Sequence, residues 1–173
     1  MLPANVIQYY FEMPSPHPEA LFVIDLLKGR QGIIIDIGCG TNKTVPNAVG
    51  VDVRSVTDVT CSGDSTPFVN DHADIIISRH SFEHLLNPVA TLREWYRILK
   101  PDGEILFVLP DHEHLNTMCA LCSAEQHMHA YTRQSFKDLI EMSGLFKVEY
   151  ISSVIHGWSS GGVLRKITGS SEN

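Results

Sequence analysis

Apolar and polar residues follow two periods along this chain. After Gly32 the run Ile33-Ile34-Ile35-Asp36-Ile37-Gly38 is β-branched and almost wholly apolar, the signature of a strand buried on both faces. Ala73–Ser78 (ADIIIS) and Glu104–Leu109 (EILFVL) read the same way. Ala48–Val53 (AVGVDV) predicts a second strand, and a short one falls near Asp58–Cys61. Helical spacing lies between them. Pro18–Lys28 predicts a helix with Pro in its first turn, Gly29 at its end and Leu21, Ile24 and Leu27 on one face. Asn87-Pro88 caps another helix, because Asn accepts from unpaired N–H groups and Pro presets the first turn. Val89, Leu92, Tyr96 and Leu99 form its stripe, and Lys100-Pro101-Asp102-Gly103 stops it with a turn. Thr132 caps a third helix bearing Phe136, Leu139 and Ile140, closed by Gly144. Phe146–Val154 predicts a strand that pairs with Gly162–Ile167 as a final hairpin.

Strands alternating with helices predict an α/β sheet of largely parallel strands. The length, 173 residues, fits a single domain over residues 1–173, with 1–17 as an N-terminal segment and 169–173 as a flexible tail. A net charge of -7 disfavours a mainly electrostatic grip on nucleic acid, which needs clustered Lys and Arg against phosphates. No basic start precedes an apolar run, and no stretch approaches the apolar length of a membrane span. Four cysteines in such a chain do not read as a disulfide framework, so a cytoplasmic location is expected.

Open parallel sheets bind ligands beyond the carboxyl ends of their strands, where strand order reverses. Three chemistry-bearing segments fall at predicted strand ends. Asp36-Ile37-Gly38-Cys39-Gly40-Thr41 carries glycines that let the backbone turn and approach a ligand. Gly50-Val51-Asp52 ends the second strand in a carboxylate, and Ser62-Gly63-Asp64-Ser65 ends the third. Two phosphate-binding readings fail on identity: a dinucleotide fingerprint needs a glycine where Lys43 stands, and a P-loop needs glycines where Ile37 and Asn42 stand.

These motifs, in this order, resemble class I S-adenosylmethionine-dependent methyltransferases, most closely the small type 11 group. Ser78-Arg79-His80-Ser81-Phe82-Glu83-His84-Leu85 and Arg97-Ile98-Leu99-Lys100-Pro101-Asp102-Gly103 continue the likeness, which runs from about Gly32 to Leu109 and extends to His129–Phe136. The resemblance implies a Rossmann-like methyltransferase fold, S-adenosylmethionine as cofactor, and an enzyme. It implies that Asp36 and the Gly38-Cys39-Gly40 loop surround the methionine moiety. Asp52, with Val53 beside it, would bind ribose, and Asp64 with the Ser65 backbone would hold adenine. Ser78, Arg79 and His80 would flank the cofactor near the transferable methyl. Glu94-Trp95-Tyr96-Arg97 and Leu109-Pro110-Asp111 also resemble a subgroup associated with surface-sugar modification, which makes a sugar one candidate among small-molecule acceptors.

The chain departs from that pattern in its crossovers. Only TNKTVPNA joins Gly40 to the second strand, and the link to the third is shorter, whereas a parallel crossover takes about a dozen residues or more. The helices between strands 1 and 2 and between 2 and 3 are therefore expected to be reduced to turns. The bared sheet face would need cover from the N-terminal segment or from a second subunit in a homodimer. The same economy keeps alive a non-catalytic, cofactor-binding partner subunit. A nicotinamide oxidoreductase is disfavoured by Lys43, and no Asn-Pro-Pro-Tyr-like run follows the Ala73 strand.

Methyl transfer from a sulfonium needs a base only when the acceptor is a hydroxyl or a protonated amine. His80 and His84 are the candidate catalytic residues, imidazole titrating near neutral pH. Each also has a structural reading, as do Asp52 (a solvated strand-end acid) and Asp64 (a turn residue). Residues 111–131 are rich in His and Cys and should form an acceptor-side lid. Cys119-Ala-Leu-Cys122 with neighbouring histidines has zinc-like spacing, but the apolar residues around it suit a buried helix, and no metal is expected.

Overall fold

The structure is a computed structural model and describes residues 17–54, 57–115, 127–153, 155 and 157–168. Seven strands form one sheet: β1 (Ile34–Ile37), β2 (Val49–Asp52), β3 (Val59–Thr60), β4 (Ala73–Arg79), β5 (Leu99–Pro110), β6 (Phe146–Ile151) and β7 (Ser159–Lys166). Their order is β3-β2-β1-β4-β5-β7-β6. The first five pair in parallel, and β7 runs antiparallel to both β5 and β6. The expected Rossmann-like sheet with a C-terminal hairpin is therefore present. β6 ends at Ile151, short of Val154, which lies outside the described residues. β7 begins three residues earlier than the alternation suggested.

Side-chain alternation divides the core into two layers. On one face Ile35, Ile37, Ile76, Ile105, Phe107 and Leu164 meet α2 (Pro88–Ile98) and α3 (Arg133–Ser143) through Leu92, Trp95, Phe136 and Ile140. On the other, Ile34, Ile75, Ile77, Leu106 and Val108 pack against α1 (Pro18–Leu26) through Ala20, Val23, Ile24 and Leu27. The caps act as their sequences predict. The Asn87 side chain accepts from Ala90 N, Thr132 and Ser135 form a reciprocal capping box, and Gly144 is left-handed at φ 66°.

Two predicted helix faces are rotated. In α1, Leu21 is 45% exposed, and Glu19, Ala20, Val23 and Ile24 are the buried residues. In α2 the buried stripe is Thr91, Leu92, Trp95 and Ile98, while Val89 stays exposed. Periodicity alone cannot set the phase of a short helix, which follows the docking partner. The Lys100–Gly103 turn lies inside the span of β5, with Asp102 left-handed at φ 62° and a register shift between Ala73 and Ile75.

No helix joins β1 to β2, and none is found among the described residues between β2 and β3. Buried Thr44, Val45 and Ala48 fold onto the α1 side of the sheet instead. On that side the turn and α1 pack into one core layer with Ile34, Ile75 and Ile77. Residues 1–16 and 169–173 lie outside the described residues.

Replacing Leu27, 1% exposed, with Ala should cost about 2–5 kcal/mol in urea unfolding. Leu21→Ala should cost less than about 0.5 kcal/mol. Equal losses would mean that α1 docks on another face.

Candidate active site

The strand register brings the carboxyl ends of β1, β2, β3 and β4 to one edge. Ile37 stands beside Val51 and Ser78, and Asp52 beside Thr60. Strand order reverses there, between β1 and β4. A cleft of about 410 Å³ opens at this point, lined by Gly38, Gly40, Asp52, Val53, Asp64, His80, Ser81, His84, Leu85 and Leu86 among others.

The candidate cofactor residues fall into two groups. Gly38, Gly40, Asp52, Val53, Asp64 and His80 line the cleft; Asp36, Cys39, Ser65, Ser78 and Arg79 do not line it. Asp36 is 1% exposed and accepts from Thr44 N, so its carboxylate closes the loop that carries the glycines. Burial pushes its pKa up to about 6, against the hydrogen bond and the charges of Arg79 and Lys43. Cys39 is buried behind the loop, and burial with the charges of Asp36 and Asp52 raises its thiol to about 11. The Ser78 and Ser81 hydroxyls lie 2.8 Å apart, and Ser81 Oγ donates to Ile37 O at 2.9 Å, tying the end of β4 to β1. The two glycines serve different ends. A Cβ on Gly38 (φ 73°) would lie 2.2 Å from Ser81 Cβ, whereas one on Gly40 (φ 58°) would meet only the Arg54 guanidinium, at 3.5 Å.

Asp52 Oδ2 accepts from Gly40 N at 2.8 Å and Oδ1 from Arg54 N at 3.0 Å. Each oxygen keeps a second lone pair, which suits a ligand's paired hydroxyls. Ser62 Oγ donates to Asp64 Oδ1 at 2.5 Å. The Asp64 loop is braced from α2 by residues whose role the sequence reading missed. Trp95 Nε1 donates to Gly63 O at 2.8 Å, and Glu94 accepts from Thr66 N and Oγ1 while paired to Arg97. The Glu94–Arg97 run is thus accounted for by packing and bracing. The predicted turn-plus-strand spacing gave no signal for this contact, because it spans 32 residues.

His80 sits at the end of β4 with φ 53°, a strained conformation for a side-chain-bearing residue. Its Nε2 lies 2.8 Å from Glu19 Oε2 and its Nδ1 3.5 Å from Glu83 Oε1, while its ring stacks on Trp158 at 4.9 Å. Glu19 also takes the Ser159 hydroxyl and lies 3.0 Å from His17 Nδ1. Burial opposes the charge on His80, but the hydrogen bond to Glu19 and the charges of Glu19 and Glu83 hold its pKa up at about 9. Glu19 in turn ionises more readily than usual: burial alone would raise it, and the bond and charge of His80 outweigh that. His80 is therefore an imidazolium at neutral pH. Glu19, Glu83 and Trp158 went unnoticed in the sequence, although Glu83 stood inside the quoted motif.

His84 lies in the 3-10 turn Phe82–His84 and forms part of the cleft wall. The segment expected to form a lid is anchored at both described ends beside the carboxyl end of β5. Asp111 bridges to Tyr131, His112 N donates to Tyr131 O, and Met128 N and His129 N donate to Glu83 O. Cys119 and Cys122 fall in 116–126, outside the described residues.

The chain matches the family model described as a methyltransferase domain over residues 18–150, and it belongs to that family. It is a methyltransferase, and the methyl donor of the class is S-adenosylmethionine. No curated protein sequence gives a significant match. Solved structures share the fold. An S-adenosylmethionine-dependent methyltransferase from Mesorhizobium loti superposes with a TM-score of 0.70 at 13% identity, over 87% of this chain and 98% of that one. A possible histamine N-methyltransferase from Thermotoga maritima gives 0.67 at 17% identity, over 86% and 87%. The 1,6-didemethyltoxoflavin-N1-methyltransferase of Burkholderia thailandensis, solved with that substrate and S-adenosylhomocysteine, gives 0.68 at 12% identity, over 95% and 83%. Among the described residues no helix is long and apolar enough to cross a membrane.

Two pH and charge effects follow from this geometry. A histidine raised from 6.5 to about 9 stabilises the fold fully below pH 6.5, and that contribution drains away as pH rises to about 9. Thermal unfolding should lose on the order of 3 kcal/mol across that window, and His80→Asn should flatten the loss; an unchanged slope in the variant would refute the clamp. Asp36→Asn keeps an acceptor for Thr44 N and removes a buried charge, so stability at neutral pH should hold or rise. Asp36→Ala should lose about 1–3 kcal/mol in urea unfolding.

Proposed function

We propose that this enzyme methylates a small-molecule nucleophile seated at the carboxyl ends of β4 and β5, between the cofactor cleft and residues 127–131. The observation that carries the reading is the cleft at the strand-order reversal, with Asp52 and Asp64 at one end and His80 and His84 at the other. In this reading Gly40 leaves room beside the backbone for the methionine portion, Asp52 accepts from the ribose hydroxyls, and Asp64 with Ser65 holds adenine. Asp36, Cys39 and Ser78 act one step back, by fixing the loops that carry these groups.

S-adenosylmethionine supplies a methyl already activated on a sulfonium, so the chain's own task is positioning. Asp52 is pre-aimed by two backbone N–H groups, and Trp95 holds the Asp64 loop against α2. His80, gripped from two sides and stacked on Trp158, forms a fixed wall rather than a proton acceptor. That leaves His84 as the imidazole at the acceptor end of the cleft. A sugar remains one candidate acceptor, although the Glu94–Arg97 run that suggested it is spent on bracing.

Calorimetry with S-adenosylhomocysteine tests the site. The wild type should bind, and Asp52→Ala should weaken binding by about 10–100-fold, the equivalent of one or two charge-assisted hydrogen bonds. Folded wild-type protein that binds neither the donor nor its product would sink the proposal, as would an unchanged affinity in Asp52→Ala.

A further inference from the structure

Glu83 is the least settled charge in the described structure. Its side chain is 1% exposed, and neither carboxylate oxygen accepts a hydrogen bond from the described residues. The nearest cation, His80 Nδ1, lies 3.5 Å from Oε1, and His80 gives its closer contact to Glu19, which is equally buried. Two buried carboxylates thus share one imidazolium, with His17, half exposed, adding a second contact to Glu19 alone. A buried carboxylate without hydrogen bonds is costly enough that such groups are normally paired or bound to a cation. The Tyr131 hydroxyl is also buried without a partner, and burial together with the charge of Glu83 holds its proton on.

What surrounds Glu83 is a ligand set. One oxygen of Glu83 and one ring nitrogen each of His84 and His127 lie within 4.8 Å of one another, and the two imidazoles meet edge to face at 4.8 Å. Tetrahedral bonds of about 2 Å require ligand atoms roughly 3.3 Å apart, so the set must close by up to about 1.5 Å on binding. Glu83 and His84 are adjacent on the 3-10 turn. His127 precedes Met128 and His129, whose backbone N–H groups donate to Glu83 O and hold residues 127–129 against the same turn. The second cluster of this kind, Asp111, Glu113 and His114, differs: Arg133 already lies 3.1 Å from Asp111 and 3.6 Å from Glu113.

We propose that Glu83, His84 and His127 bind one divalent transition-metal ion of the zinc class at the acceptor end of the cleft. Two imidazoles and a carboxylate suit Zn²⁺ and its first-row neighbours better than Mg²⁺ or Ca²⁺, which prefer all-oxygen shells. Three protein ligands leave a position open, as in sites that bind a substrate oxygen. Because His84 also lines the cleft, the open position belongs to the acceptor, and the acceptor class becomes a hydroxyl compound whose oxygen the ion ligates and makes more acidic. Its proton passes to solvent water, the oxygen lone pair forms the new C–O bond as the methyl–sulfur bond breaks, and S-adenosylhomocysteine leaves. This last step rests on the methyl-transfer reading above; the ion site does not.

The test uses the full chain stripped of metal, titrated with ZnCl₂ and with MgCl₂, alongside Glu83→Gln, His127→Ala, His114→Ala and the double variant Cys119→Ser/Cys122→Ser. One Zn²⁺ should bind per chain and Mg²⁺ should not compete. Glu83→Gln and His127→Ala should each weaken Zn²⁺ by at least ~100-fold, beyond the roughly 10–100-fold cost of an outer-shell change. The other two variants should leave affinity unchanged. His127 is partly exposed, so His127→Ala guards against a Glu83→Gln chain that fails to fold. Co²⁺ in place of Zn²⁺ should give d–d bands without a thiolate charge-transfer band. Loss that follows the cysteine variant, a thiolate band, or no binding at all would overturn the site. S-adenosylhomocysteine affinity, measured on the same metal-free protein, separates the two readings: binding retained without any Zn²⁺ site removes only the metal, and binding lost removes the methyl-transfer reading.

Discussion

The parallel pairing of β1 with β4 sets Ile34 beside Ile75 and Ile37 beside Ser78, and the edge that carries the cleft hangs from that register. β2 and β3 extend the sheet away from β1 on one side while β5 extends it from β4 on the other. Chain leaving β1 and chain leaving β4 must therefore part, and a cleft opens between them. Both strands are buried on both faces, so a slip of one residue would turn Asp36 and Ser78 into the opposite layer. The Ser78–Ser81–Ile37 hydrogen bonds lock the pair at its carboxyl end, where the two departing chains would otherwise be free to drift.

Around that edge carboxylates do much of the work that helices do elsewhere. The β1–β2 crossover is too short for a helix, and its backbone N–H groups still need partners. Asp36 serves Thr44, Asp52 serves Gly40 and Arg54, and Asp58 serves Gly50 while paired to Lys43 at 2.9 Å. Three strand-end or loop acids thus hold a connection that has little apolar surface of its own. Asp36 is the costly member, since it is buried, and its carboxyl titrates near 6 as a result.

On the other side of the cleft, three elements distant in sequence converge on His80. α1 supplies Glu19, the 3-10 turn supplies Glu83, and Trp158, just before β7, supplies the stacking ring. Their grip explains how a residue with a side chain keeps a positive φ at the end of a strand. It also couples α1, the cofactor cleft and the 127–131 segment electrostatically, since Glu83 faces both His80 and the His84–His127 pair.

The class of fold and the sheet edge that carries the candidate site are legible from local sequence pattern. Apolar β-branched runs identify buried parallel strands because no other element buries two faces of four to seven residues. Asp36, Gly38 and Asp52 were legible because each sits at the end of such a run, and Asp64 because it lies in a Ser-Gly-Asp-Ser turn just past the short strand β3. Caps at Asn87, Thr132 and Gly144 were legible for the same local reason: they satisfy backbone groups within a few residues. Which acids face the cleft and which are buried behind it, as with Asp52 and Asp36, depends on how the loops fold back on the sheet. Tertiary structure alone set the phase of α1 and α2, moving Leu21 outward and Trp95 inward, because a helix turns its best-fitting face to whatever it docks on. And it alone turned His80 from a candidate base into a fixed cation, since that charge state depends on Glu19, 61 residues away, and on how deeply folding buries the pair.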